Sequence, residues 1–200
     1  MNENHAKVCT SPEWAEYLQT AVLPTLTRDI DLGDHMLEIG PGPGAATEWL
    51  RSRVATLTAI EVDEAAAALL ADRYAGGNVE IVAGSADATS YPADSFDAVG
   101  CFTMLHHVPT LALQNKILAE ALRVLRPGGV LIGSDSLPST DLHHFHADDT
   151  YNPVFPASLL GRLQTVGFEK ITVIVDETLK FIAVKPGEPE LADAAAQDAA

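Results

Sequence analysis

The chain has 200 residues, 47% of them hydrophobic, and a formal net charge of -16 at pH 7. This length and composition predict one globular domain with a sizeable core. The acidic surface argues against nucleic acids and anionic membranes as partners, because it repels phosphate groups. It is equally typical of an enzyme that uses charge only to stay in solution. No apolar run approaches the ~18 residues that a membrane-spanning helix needs.

The two cysteines show no pairing pattern. Cys9 and Cys101 are far apart in the chain, and Cys101 falls in a predicted core strand. A buried free thiol is therefore favoured over a disulfide or a nucleophile. The polar start of the chain lacks the apolar core of a signal peptide, so we expect a protein of the reducing cytoplasm.

Residues 1–32 are predicted to form an N-terminal helical cap segment. Residues 1–10 carry no clear pattern and are expected to be loose unless a ligand or packing orders them. Ser11 and Pro12 are typical of a helix start, with Ser11 as the N-cap. An apolar face follows, and Pro24 is expected to end or bend this helix.

Strand and helix patterns then alternate along the chain. Strands are predicted at 35–40, 57–62, 79–82, 96–102 and 130–134, and helices at 45–53, 64–74 and 111–125. This alternation predicts a parallel sheet with helices on both faces.

The end of the chain follows a different pattern. A helix at 156–166 precedes two apolar segments, 170–175 and 179–184, which only three residues separate. That link is too short for a parallel crossover, so the two strands are predicted to pair antiparallel. The main domain is expected to span 33–185. Residues 186–200 are acidic and alanine-rich without an apolar face, and we expect a disordered tail there.

Three glycines at alternate positions follow the first strand. Gly40, Gly42 and Gly44 separate the strand from a helix, and glycine suits a turn with positive φ and a close ligand approach. The free N–H groups of the new helix face such a ligand. Glu61 lies twenty-one residues past Gly40, about the spacing at which a carboxylate reaches a ribose hydroxyl. This arrangement predicts an adenosine-type cofactor site, although Glu38 or Glu61 alone is also typical of a solvated strand end.

The segment Glu38-x-Gly40-x-Gly42-x-Gly44 resembles motif I of the class I S-adenosylmethionine (SAM)-dependent methyltransferases. Other landmarks of that family follow in the same order, at 61–63, 84–88, 96–99, 104–108 and 125–129. The resemblance covers roughly residues 33–185. It implies an α/β, doubly wound, Rossmann-like fold whose seven-stranded mixed sheet has the order 3-2-1-4-5-7-6, with an antiparallel last strand.

The resemblance also implies roles for the residues near the first two strand ends. The three glycines would let the backbone pass under the methionine and ribose parts of SAM. Glu38 would lie near the amino group, directly or through water. Glu61 would accept hydrogen bonds from both ribose hydroxyls, with Val62 against the adenine face.

Further positions complete the implied cofactor site. Asp87 would accept from the adenine amino group and the Ala88 amide would face a ring nitrogen, although Asp87 also suits a simple turn. Thr103, just past the fourth strand, would lie beside the sulfonium. In the family an N-terminal segment packs across the cofactor cleft, so Trp14 either covers that site or fills the edge of the core.

A cluster of histidines and acids follows the fifth strand. His143, His144 and His146 lie within four residues, and Asp149 follows closely. An alcohol keeps its proton at pH 7 and needs a general base, so we favour His146 as that base with Asp149 stabilising the imidazolium. His146-x-x-Asp149-Thr150 also resembles a subset of short bacterial SAM-dependent methyltransferases. His144 is a second candidate if this stretch is extended.

Two other interpretations of this histidine-rich stretch stay open. It is equally typical of a solvated loop, or it holds a divalent ion such as Mg²⁺, since mixed imidazole and carboxylate ligands permit that. No spacing specifies a metal, so no metal ligand is assigned. His107, after the fourth strand, either lines an acceptor pocket or packs at the strand exit.

The expected function is a SAM-dependent O-methyltransferase acting on a small polar acceptor. Only 6% of residues are aromatic, which disfavours a large flat substrate and favours a hydroxyl-rich one such as a sugar. Some actinobacterial members of the family methylate sugars. The alternatives are a nitrogen or carbon methyltransferase, a nicotinamide-dependent dehydrogenase and a catalytically inert SAM-binding protein. The sequence predicts no oligomeric state.

Overall fold

The computed structural model describes residues 3–187, and within that range all side chains except those of residues 3, 4 and 6. Most of the predicted disordered tail, residues 188–200, lies outside the described residues. Within them, no helix is long and apolar enough to cross a bilayer. Cys101 is buried and, like Cys9, a free thiol, as predicted.

A seven-stranded mixed sheet forms the centre of the molecule, in the order β3-β2-β1-β4-β5-β7-β6. The first five strands run parallel, and β7 pairs antiparallel with both β5 and β6. The predicted fold and the terminal hairpin are therefore confirmed. The strands are β1 His35–Ile39, β2 Thr56–Glu61, β3 Val79–Ala83, β4 Phe96–Phe102, β5 Leu125–Asp135, β6 Glu169–Val175 and β7 Leu179–Val184.

Helices lie between the strands and before them. The helices are α1 Glu3–Cys9, α2 Pro12–Tyr17, α3 Leu23–Thr27, α4 Thr47–Leu50, α5 Glu64–Tyr74, α6 Leu111–Val124, α7 Thr140–Phe145 and α8 Pro156–Val166, with a π-helical turn Leu18–Val22 and a 3₁₀ turn Leu105–His107. Asp63 caps α5 by accepting hydrogen bonds from the amides of Ala65 and Ala66.

The N-terminal segment is largely helical. Residues 3–9 form α1 and bury His5, so packing orders these residues. Ser11 caps α2 as predicted, accepting from the Trp14 amide at 3.2 Å. Pro24 does not end the helical segment, however. The π-helical turn precedes it, and Pro24 lies in the first turn of α3, where its missing N–H is not needed.

Two apolar clusters cover the two faces of the sheet. One packs α6 and α8 against the sheet and includes Phe181 and Leu118. The other packs the N-terminal helices against the opposite face, and Trp14 lies at its edge together with Ala45. The helices on both faces leave the carboxyl ends of the parallel strands at one edge, where open α/β sheets bind their ligands.

Candidate functional site

The glycine loop after β1 has the backbone conformation that the sequence predicts. Gly40 and Gly42 have φ values of 65° and 53°, which side chains rarely adopt. A Cβ at Gly40 would lie 3.0 Å from the Cβ of Met104, so glycine allows the loop to approach the end of β4. A Cβ at Gly42 would meet no described atom within 4 Å. The Gly42 side of the loop is therefore open to a ligand.

Glu61 joins this loop to the end of β2. One carboxylate oxygen accepts from the Gly42 amide at 3.1 Å and the other from the Asp63 amide at 3.0 Å. A carboxylate has about four acceptor positions, so two remain for the hydroxyls of a ligand. The next side chain, Val62, is 73% exposed, which leaves an apolar surface beside the carboxylate.

Glu38 lies beneath the loop and is almost completely buried, with 1% of its surface exposed. Its carboxyl accepts from the Thr47 hydroxyl at 2.7 Å. Burial raises the pKa of Glu38 from 4.5 to about 7, and the nearby charge of Glu61 acts in the same direction. Because an opposite charge favours the ionised carboxyl, a cationic group bound here would be stabilised by Glu38.

The remaining predicted cofactor residues line the same edge of the sheet. Asp87 accepts from the Ser85 hydroxyl at 2.5 Å in the turn after β3, and Ala88 beside it is exposed. Thr103 follows β4 with a φ of 51°, an uncommon value for a residue other than glycine. Its amide donates to the Ser134 carbonyl at 2.7 Å, so the turn at the end of β4 is tied to β5.

Four histidines meet next to this edge. His5 comes from α1, His106 and His107 from the 3₁₀ turn after β4, and His146 from the end of α7. One ring nitrogen of each lies within 4.8 Å of the others. We call these four residues the histidine cluster. Sequence reasoning found His146 and treated His107 as a pocket-lining alternative, but it missed His5 and His106, because no local pattern connects them.

Hydrogen bonds orient two rings of the histidine cluster. Nδ1 of His106 lies 2.6 Å from the carboxylate of Asp135, which is fully buried at the end of β5. Nδ1 of His146 lies 2.7 Å from the Leu142 carbonyl and must donate its proton there. Nε2 of His146 is then the unprotonated nitrogen of the neutral ring, and it is buried without a hydrogen-bond partner in the described part of the chain.

Two predictions for this region are corrected by the structure. Asp149 does not hydrogen bond to His146, since Nδ1 of His146 bonds to Leu142 and Nε2 has no partner in the described part of the chain. The Asp149 carboxylate lies 3.4 Å from Nδ1 of His5 instead. His144 does not share a face with His146. It lies in helix α7 rather than in an extended segment and is exposed, and residues two apart on a helix point in different directions.

Three imidazoles of the histidine cluster, those of His5, His107 and His146, are held in the neutral form. Burial lowers the pKa of His5 to about 4 and that of His107 to about 3, and the neighbouring histidines add to the effect. Burial also lowers the pKa of His146. At neutral pH these rings therefore offer unprotonated nitrogens, which accept a proton or ligate a metal ion.

Comparison with known proteins agrees with the fold and the glycine loop. Residues 37–133 match the family model described as a methyltransferase domain. This segment, just under half of the chain, is similar to that family. It contains the glycine loop, Glu61 and the ends of β1 to β4, and it ends within β5.

Two curated methyltransferases are similar to part of the chain. A phthiotriol/phenolphthiotriol dimycocerosates methyltransferase from Mycobacterium ulcerans is 30% identical over 124 residues, which are 61% of this chain and 45% of that protein. A ubiquinone biosynthesis O-methyltransferase from Pseudomonas fluorescens is 36% identical over 101 residues, 48% of this chain and 42% of that protein. The chain spans about half the length of the curated relatives it matches.

Solved structures support the fold beyond the matched segment. A SAM-dependent methyltransferase from Aquifex aeolicus superposes with a TM-score of 0.71 at 17% identity. The match covers 92% of this chain and 99% of that one. The similarity of fold therefore extends well beyond residues 37–133.

Proposed function

We propose that the chain is a SAM-dependent methyltransferase that methylates a hydroxyl group of a small polar acceptor, with His146 as the general base. The observation that carries the proposal is the unprotonated Nε2 of His146, which has no partner among the described residues and lies at the end of the sheet that also carries the open glycine loop. The match of residues 37–133 to the methyltransferase family supports the choice of cofactor.

The cofactor side of the proposal uses residues at the ends of β1 and β2. SAM is cationic at its amino group and sulfonium, and its ribose has two hydroxyls. Glu38 supplies a buried carboxyl for the amino group, and Glu61 has two acceptor positions left for the ribose. The exposed face of Val62 fits against adenine.

The chemistry is an in-line displacement at the SAM methyl carbon. The acceptor oxygen forms a bond to that carbon as the carbon–sulfur bond breaks, and the electron pair of that bond stays on the neutral sulfur. The hydroxyl proton goes to Nε2 of His146. Holding acceptor and methyl group in line supplies much of the rate enhancement, and proton transfer to a positioned base supplies a further part.

The surroundings of His146 suit this role. The Leu142 carbonyl fixes the tautomer by accepting from Nδ1. The charges of Asp149 and Asp135 raise the pKa of His146, against the larger effect of burial, and so stabilise the imidazolium that forms. Only 3% of His146 is exposed and His5 of α1 packs against it, so entry of the acceptor requires α1 to move.

A hydroxyl-rich acceptor such as a sugar fits the polar surroundings of the site. The curated relative from Pseudomonas fluorescens is named an O-methyltransferase, which supports an oxygen acceptor. The low aromatic content of the chain, 6%, provides few partners for a large flat substrate.

The test is transfer of labelled methyl from SAM to a panel of sugars, phenols and amines. We expect sugar or other small hydroxyl acceptors to be methylated. His146→Ala should lower kcat by about 100- to 10,000-fold while leaving the affinity for SAM unchanged. His144→Ala, an exposed histidine two residues away, is the matched control and should retain the wild-type rate.

Three outcomes contradict the proposal. Methylation of amines alone, with an unchanged rate for His146→Ala, would indicate a nitrogen methyltransferase that needs no base. Binding of SAM without transfer to any acceptor would indicate an inert binding protein. Calorimetric binding of NAD in place of SAM would remove the cofactor assignment.

A further inference from the structure

The histidine cluster brings together four imidazoles from three separate segments. His5 lies near the start of the chain, His106 and His107 follow β4, and His146 follows α7. Their closest ring nitrogens all lie within 4.8 Å of one another, in a buried position. No acidic side chain belongs to this set of converging ligand atoms among the described residues.

We propose that the histidine cluster is a four-coordinate site for a divalent transition-metal ion of the Zn²⁺ type, with one nitrogen from each of the four histidines. This inference rests on the geometry of the cluster and goes beyond the proposed function. The bound ion would fix α1, through His5, to the turn after β4 and the end of α7.

The ligand set determines the class of ion. Imidazole nitrogens suit Zn²⁺, Co²⁺, Ni²⁺ and Cu²⁺, whereas Mg²⁺ requires oxygen ligands and retains its water. Tetrahedral zinc binds nitrogen at about 2.0–2.1 Å, which places the ligand nitrogens roughly 3.3–3.4 Å apart. Nitrogens already within 4.8 Å need only small side-chain rotations to reach that spacing.

Hydrogen bonds orient two of the rings, and a carboxylate lies near a third. Metal-binding histidines in general donate their other ring N–H to a carboxylate or a backbone carbonyl. Here His106 pairs with Asp135 at 2.6 Å, His146 with the Leu142 carbonyl at 2.7 Å and His5 with Asp149 at 3.4 Å. For His106 and His146 this leaves Nε2 as the free nitrogen, and that of His146 is buried without a partner among the described residues.

A four-histidine shell has a consequence for activity. Structural zinc sites are closed by four protein ligands, whereas catalytic sites keep a position for water or substrate. An ion held by all four histidines therefore leaves no position for an acceptor and occupies the lone pair of His146. If His146 is the general base, the metal-loaded chain should be inhibited, because the base is occupied and α1 cannot move aside.

The direct test is titration of the metal-free, tag-free chain with Co²⁺, followed by competition with Zn²⁺. Co²⁺ in a tetrahedral nitrogen site has intense visible absorption, which reports binding without any activity measurement. We expect one ion per chain, displacement by Zn²⁺ and no competition by Mg²⁺. The melting temperature should rise with Zn²⁺ by mass action.

Variants distinguish a specific metal site in the histidine cluster from nonspecific binding of Co²⁺. Asp135→Asn should weaken Co²⁺ binding by about 10- to 100-fold, as expected for loss of the carboxylate that orients His106. His5→Ala and His146→Ala should weaken it further and abolish the tetrahedral spectrum. His143→Ala, an exposed histidine of α7, is the control and should bind like the wild type. Circular dichroism verifies that each variant is folded, and His5→Ala is informative even if His146→Ala does not fold.

Failure of this inference is distinguishable from failure of the proposed function. Absence of saturable Co²⁺ binding, or equal affinity in the wild type and in folded His5→Ala, would overturn the metal site and leave the base assignment intact. Tight binding that accelerates methyl transfer would support the site and overturn the role of His146 as base.

Discussion

The two halves of the candidate site are built in different ways. The cofactor half uses Glu38, the glycine loop and Thr47 within ten residues of the chain, together with Glu61 at the end of the neighbouring strand. The histidine cluster draws its members from α1, the turn after β4 and the end of α7. A short segment of backbone determines the first half, whereas the tertiary packing of distant elements determines the second. The cofactor half should therefore tolerate changes elsewhere in the chain better than the histidine cluster does.

Glu61→Ala tests the cofactor half and carries the largest expected effect. The carboxylate holds the Gly42 and Asp63 amides and, on the proposed function, both ribose hydroxyls. Hydrogen bonds to a charged group are worth about 1.5–3 kcal/mol each, so loss of the two ribose contacts should weaken SAM binding by at least about 3 kcal/mol, roughly 100-fold in Kd. Isothermal titration calorimetry measures this change.

Glu64→Ala is the control for that experiment, because Glu64 is an exposed residue at the start of α5. It should bind SAM with wild-type affinity. Metal binding by the histidine cluster should survive in both variants if the two halves are independent. Unchanged SAM affinity in Glu61→Ala would contradict the proposed position of the ribose.

Glu38→Gln tests how the buried carboxyl affects stability as the pH changes. Burial raises the pKa of Glu38 to about 7, above its ordinary value of 4.5, so the folded state holds a proton that the unfolded state has lost. Wild-type stability should therefore fall as the pH rises from about 4.5 to about 7 and then level off. Relative to the variant, the wild-type free energy of unfolding should fall by at most about 3 kcal/mol over this pH range. Urea denaturation at about pH 5 and about pH 8 measures the difference.

Glu48→Gln provides the comparison. Glu48 is exposed, and its hydrogen bonds with Arg51 lower its pKa. Its contribution to the stability of the folded state is therefore lost only as the pH falls through the acidic range. Its pH dependence between about pH 5 and about pH 8 should therefore match that of the wild type. Parallel curves for Glu38→Gln and the wild type would mean that the buried carboxyl is already ionised in the folded chain.

The same contrast explains how much of the molecule was predictable. The glycine spacing and the three-residue link before β7 are local signals. The link predicted the antiparallel hairpin, and the glycine motif carried the family resemblance that implied the sheet order and the expected cofactor residues. His5 carries no local signal, and its position depends on α1 packing against the opposite half of the chain. Asp149 acts on His146 through its charge and not through a hydrogen bond, for the same reason. Proximity in sequence favoured Asp149, but helix α7 turns Nδ1 of His146 toward the Leu142 carbonyl.

Gly42→Ala tests whether glycine is needed at this position only for its backbone conformation or also for close approach of the ligand. Alanine at a φ of 53° should cost roughly 1–2 kcal/mol of stability. The control is Gly76→Ala, since Gly76 also has a positive φ, 76°, and also has no described atom within 4 Å of an added Cβ. The two variants should lose similar stability in denaturation experiments.

Only Gly42→Ala should also lose SAM affinity, because the new methyl group projects into the open side of the glycine loop. Steric crowding of about 1–3 kcal/mol corresponds to about 5- to 150-fold in Kd. Equal SAM affinity in the two variants would mean that the loop needs glycine only for its turn. The ligand would then approach from another side, and Glu61, whose carboxylate bonds to Gly42, would lose its expected partner in the ribose.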